Sequence, residues 1–199
     1  MIARFSATWG AVLCAALVAS GCAPRNGGGA AAPSAVPASY LVSRDGSVRY
    51  RMPAGWFDAG EDSLSAECRL WLMRGDYAGS LTVRPVHLQG VEGEGLSGAG
   101  LLEVAKLTAA LETSRRPGML TRIPGRITAG GKEGASYDLE YPGSGDRTRT
   151  VLLAAGGDVI AVTALVSGSA PQDAAREIFG ALDAFLATAR WEKPGLRSE

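Results

Sequence analysis

The sequence predicts an α+β fold: a three-layer α/β/α sandwich on a mainly antiparallel sheet of about six to seven strands, with two main helices. Three observations carry that expectation. Between residues 125 and 166, strand-like runs are joined by turns of two to five residues, too short for anything but antiparallel neighbours. The runs at 101–114 and 169–190 repeat apolar residues at helical spacing. VIAVTALV, residues 159–166, has no polar face, and a strand apolar on both sides is one covered on both sides.

The elements follow in chain order. VRYRM (48–52) alternates and stops at the turn signal Pro53-Ala54-Gly55. AECRLWLM (66–73) and SLTVRPVHL (80–88) read as strands joined by RGDYAG. Pro85 lacks a ladder donor, which places it at an edge or a bulge. In LLEVAKLTAALETS (101–114), Leu101, Val104, Leu107 or Thr108, and Leu111 mark one helix face. GRITA (125–129) and EGASYDLEY (133–141) flank Gly130-Gly131, a hairpin signal. In the second of these, Ala135, Tyr137, Leu139 and Tyr141 share one side. PGSGD then turns into RTRTVLLAA (147–155), and GGD into VIAVTALV. The last helix has Ser169 as its expected cap and Pro171 near its first turn. Ile178, Leu182, Phe185 and Leu186 stripe its buried face.

The 199 residues hold 20 basic and 20 acidic side chains, so no excess of cations points to a nucleic-acid partner. The first 21 residues read as a secretory signal: Arg4, an uncharged apolar run, then small residues. Within it, Val18-Ala19-Ser20-Gly21-Cys22 resembles the bacterial lipobox, and that resemblance implies lipidation at Cys22 by diacylglycerol and fatty acids such as palmitate. Residue 23 is Ala rather than the Asp that retains enteric lipoproteins at the inner membrane, so the implied address is the outer membrane, facing the periplasm. Residues 22–39 continue as a Gly/Ala/Pro/Ser tether with a typical span of about 20–25 Å. The folded domain is expected over 40–191, followed by a tail at 192–199. With Cys14 in the signal and Cys22 acylated, Cys68 is left alone and reads as a small buried hydrophobe.

Motifs for chemistry are sparse. GEGLSG (93–98) fits the dinucleotide pattern G-x-G-x-x-G, but that pattern serves a strand-to-helix turn in a parallel βαβ unit. Short turns after this helix demand antiparallel strands. Glu92 and Glu94 would face a pyrophosphate, and Gly98-Ala99-Gly100 delays the helix start. The run is therefore read as a connector, with no nucleotide and no cofactor. The only histidine, His87, shares parity with Leu81 and Val83 and reads as structural or partly exposed. G-x-S-x-G is missed around Ser97 because position 99 is Ala. No zinc-ligand spacing is visible, and Asp58, Glu61 and Asp62 read as an acidic surface loop. Arg115, Arg116, Arg122 and Arg126 form a locally basic stretch able to meet anionic lipid or glycan phosphate, or simply to face water.

DGSVRYRMPAGW, with Tyr50, Pro53, Gly55 and Trp56, resembles the opening of PsbP-like and DcrB-like domains. The element order over 40–191 is similar as well. The resemblance implies an α/β/α sandwich in an extracytoplasmic or accessory role, without a shared catalytic set. Trp56 is then a wedge at the sheet's end, or a contact for a ligand or partner. The expected function is that of a membrane-anchored, non-catalytic binding or assembly module with an envelope protein as partner. Two alternatives stand beside it. One is a periplasmic carrier of a small hydrophobic ligand, with a cleft beneath residues 89–100. The other is a hydrolase using Ser97 or His87.

Overall fold

The computed structural model describes residues 40–60, 67–87, 93 and 95–193. Seven strands form the main sheet in the order β3-β4-β5-β9-β8-β7-β6, antiparallel at every pairing. They are β3 (Trp56–Asp58), β4 (Leu70–Arg74), β5 (Gly79–Pro85), β6 (Met119–Ala129), β7 (Lys132–Tyr141), β8 (Asp146–Ala155) and β9 (Asp158–Val166). Helices α1 (Gly98–Arg115) and α2 (Ala174–Thr188) take opposite faces, which makes the α+β sandwich three layers deep. A second, three-stranded sheet that periodicity does not reveal joins β1 (Leu41–Val42), β2 (Val48–Tyr50) and β10 (Arg190–Trp191). Its outer strands are two residues long, too short to show a period.

Alternation along each strand sorts the two cores. Leu70, Leu72, Leu81, Val83, Ile160 and Val162 point to the α2 side, where Ile178, Leu182 and Phe185 close over them. Tyr137, Leu139, Leu152 and Val159 point to the α1 side. There the helix presents Leu101, Val104, Ala105 and Ala109, whereas Leu107 and Leu111 are exposed. Leu101 and Val104 are buried as their spacing suggests, and Ala105 and Ala109 continue the stripe in place of Leu107 and Leu111.

Four local expectations are corrected. Residues 98–100 do not delay α1, which starts at Gly98. The residue capping α2 is Asp173, not Ser169, and the Ala174 amide donates to the Pro171 carbonyl at 3.0 Å. Strand β9 is fully buried only on its α2 face, because α1 packs over β6, β7 and β8 and leaves Ala161, Thr163 and Leu165 half-covered. Pro85 closes β5 in the middle of the sheet rather than at its edge. The Val86 amide bonds to β9, so by alternation the amide-less nitrogen of Pro85 faces the β4 side, where pairing has already ended at Leu70 and Val83.

Candidate functional site

At one end of β4 and β5 the surface opens into a cleft of about 1300 Å³, with Arg44, Asp58, Glu67, Cys68, Arg84 and His87 among its walls. A tight turn builds one wall. Asp45 accepts from the Ser43 hydroxyl at 2.8 Å and from the Ser47 amide and hydroxyl at 3.0 and 2.7 Å, while Gly46 supplies the positive φ of 75°. Burial alone would raise the Asp45 carboxyl. Its bonds from Ser47 and Ser43, with the Arg69 charge, outweigh that and hold it below the usual carboxylate range. Arg69 crosses from the turn before β4 to Asp158 at the start of β9 and lies 3.5 Å from Asp45. On the neighbouring side, the Tyr50 hydroxyl donates to Asp58 at 3.3 Å. Burial first, and then the Asp58 charge, push the Tyr50 phenol up to about 12.

The cleft is a mixed-charge surface. Its walls combine Arg44, Arg69 and Arg84 with Asp45, Asp58 and Glu67, and Val42, Leu70 and Pro85 stand beside them, a lining that suits a small molecule with charged and apolar parts. The cleft expected beneath residues 89–100 involves residues 89–92 and 94, which lie outside the described residues. Cys68 is half-buried at the cleft rather than enclosed in a strand, and His87 is exposed beyond the end of β5. Among the described residues, no group of three or more His, Cys, Asp or Glu is placed to hold a metal ion.

The GEGLSG run ends directly on a helix N-terminus, closer to the dinucleotide geometry than its sequence suggests. The position an anion would take is filled from within. Glu133 of β7 accepts the Gly98 amide at 3.1 Å, and α1 has no acid in its own first turn. Gly93 is buried against the Asp158 backbone, where a Cβ would collide. Ser97 is the exposed N-cap, and its side chain makes no cap bond.

No protein-family model and no curated protein matches the chain. Solved structures do. PsbP of Synechocystis sp. PCC 6803 is 10% identical over 77% of this chain and 91% of its own, with a TM-score of 0.49. LpqN of Mycobacterium tuberculosis, involved in cell envelope biogenesis, is 14% identical over 76% and 88%, with a TM-score of 0.46. A Bacteroides thetaiotaomicron protein is 14% identical over 78% of this chain, with a TM-score of 0.48, and the chain spans only 49% of that protein.

The predicted contact residues fall at opposite edges of the sheet. Trp56 lies in β3, at one edge, half-buried against the α2-side core. Its amide donates to the Pro53 carbonyl at 3.2 Å across a turn that needs Gly55 at φ 79°. The arginines gather at the other edge, beside and on β6. Arg116 pairs with Asp146 at 2.7 Å and lies 4.1 Å over the Tyr141 ring. Arg122 reaches Asp138 at 3.0 Å, and Asp138 also takes Arg149 at 2.8 Å. Arg115 and Arg126 are exposed and make no ion pair among the described residues. Cys22, the tether and residues 194–199 lie outside the described residues.

Sequence reasoning missed the Arg69–Asp45–Asp158 and Glu133–Gly98 links because their partners are remote in sequence. It also missed Glu112, on the sheet-facing side of α1. Burial raises the Glu112 carboxyl despite Tyr137 and Arg84 nearby. The Tyr137 hydroxyl is buried and has no partner at good hydrogen-bond geometry, and burial, then the Glu112 charge, raises its pKa.

Proposed function

We propose that the protein is a bacterial envelope lipoprotein, acylated at Cys22, whose domain acts as a non-catalytic binding or assembly module facing the periplasm, with an envelope protein as its partner. One observation carries the reading: the lipobox-like Val18-Ala19-Ser20-Gly21-Cys22, at the end of a signal-like segment, is followed by seventeen residues, 23–39, of tether-like composition. An acyl anchor on that cysteine is strong because each buried methylene contributes about 0.8 kcal/mol. Outer-membrane placement follows from Ala23 in place of the retaining Asp.

Labelled palmitate supplied to the producing cells should enter the wild-type chain and be absent from Cys22→Ala. Equal labelling of both chains, or of neither, rules the anchor out. The charged cleft favours one secondary role, the capture of a small molecule with charged and apolar parts between Arg44, Arg84 and Asp58. Native mass spectrometry of protein from its own host should then show an adduct that Arg84→Ala loses. A wild-type chain that is always empty dismisses this role.

A further inference from the structure

We propose that the bulged half of β6 is a lipid-docking edge that seats the domain on the anionic surface of a phospholipid bilayer. This deepens the reading of a membrane-anchored protein and rests on it for the presence of the bilayer. As the last strand of the sheet, β6 has an outer side with no partner strand among the described residues. Its register against β7 slips twice between Leu120 and Gly125, and Pro124 removes an amide there. A strand so bulged and interrupted is a poor template for adding another strand, which disfavours a second copy or an extended peptide as occupant. Yet the same stretch exposes Met119 at 55%, Leu120 at 38% and Ile123 at 74%.

Charge supplies the second half of the argument. From Arg115 to Arg126 the chain carries four arginines and no acid. They straddle the edge: Arg122 lies opposite Asp138 on the α2 side, and Arg126 opposite Ala135 on the α1 side. Arg116 and Arg122 are paired with acids, while Arg115 and Arg126 have no ion pair among the described residues. Glu140, across from Met119, itself stands opposite Arg147 of β8. An apolar knuckle with Arg122 on one side and Arg126 on the other, and Arg115 and Arg116 at its start, fits a layer of anionic headgroups over acyl chains. The tips of Met119 and Ile123 enter the layer, and the guanidinium groups stay at phosphate level.

Hydrogen exchange on the full chain tests this, with phosphatidylglycerol vesicles compared against phosphatidylcholine vesicles. Amides of residues 118–126 should slow about tenfold on the anionic vesicles alone, while the β4–β5 turn around the exposed Tyr77 is unchanged. Each cation near a charged surface changes binding about fivefold, so Arg115→Glu with Arg126→Glu should abolish the protection. The corresponding Arg→Lys pair should keep it, which separates lost charge from a lost fold. No slowing, or slowing that is equal on neutral lipid, overturns the proposal. So does protection without vesicles that grows with protein concentration, which would assign the edge to a second copy. The mass of the Cys22 peptide in the same digest separates the two readings. An unacylated cysteine with lipid-dependent protection removes the anchor and leaves the docking edge standing. An acylated cysteine without protection does the reverse.

Discussion

Glu133 couples two elements through one carboxylate: it sits on β7 and accepts the first amide of α1. Glu133→Ala should destabilise the protein by about 1 kcal/mol, since the Gly98 amide and the positive helix end lose their partner. A lower urea midpoint at an unchanged slope would show this, and an unchanged midpoint would mean that water substitutes fully. Tyr50 makes a pH prediction. Its folded pKa of about 12 lies above the ordinary 10.0, so the neutral phenol contributes stability that is complete below pH 10.0 and lost as pH rises towards 12. Removing the neighbouring charge with Asp58→Asn should reduce that alkaline loss, measured as unfolding free energy from pH 9 to 12 relative to the wild type. For Asp45 the sign reverses. Its pKa lies below 3.8, so its contribution is present above that pH and fades as pH falls through the folded value. None of these residues announces its role locally. Arg69 and Asp158 are 89 positions apart, and only the fold brings them together.

Among the elements, the ones legible in sequence are those whose alternation is undisturbed. Strand β7 buries Ala135, Tyr137, Leu139 and Tyr141 as their spacing suggests. The first half of β6 hides itself because two register slips erase the period of two. Strand β3 is three residues long and follows a turn, so its alternation is too brief to mark it, and only the pairing of Trp56 with Arg74 shows it as a strand. The cap of α2 shifts from Ser169 to Asp173 because Pro171 precedes the helix instead of opening it. The glycine run before α1 allows a direct test of its role as a packed connector. Gly93→Ala should cost about 1–3 kcal/mol, because the new Cβ strikes the Asp158 backbone. Gly95→Ala should cost less, about 1 kcal/mol, since it meets only the strain of its positive φ and open space. Thermal melts of the two variants give the order, and the reverse order would contradict this packing.

At the scale of the molecule, the three-layer sandwich presents different chemistry at different margins: a mixed-charge cleft where β4 begins, and an apolar, arginine-flanked rim along β6. The layered architecture could be anticipated from short turns and two helical stripes. The cleft could not, because its walls come from β3, β4, β5 and the turn before β2, with no common sequence pattern. The proposed acyl anchor at Cys22 is the claim on which the membrane role depends. Its most direct test is the intact mass of the protein recovered from the membrane fraction of its own host. The account predicts a chain that begins at Cys22 and carries the added mass of diacylglycerol, with none in the soluble fraction. An unmodified chain released into the soluble fraction, or one cleaved at another residue, would contradict it.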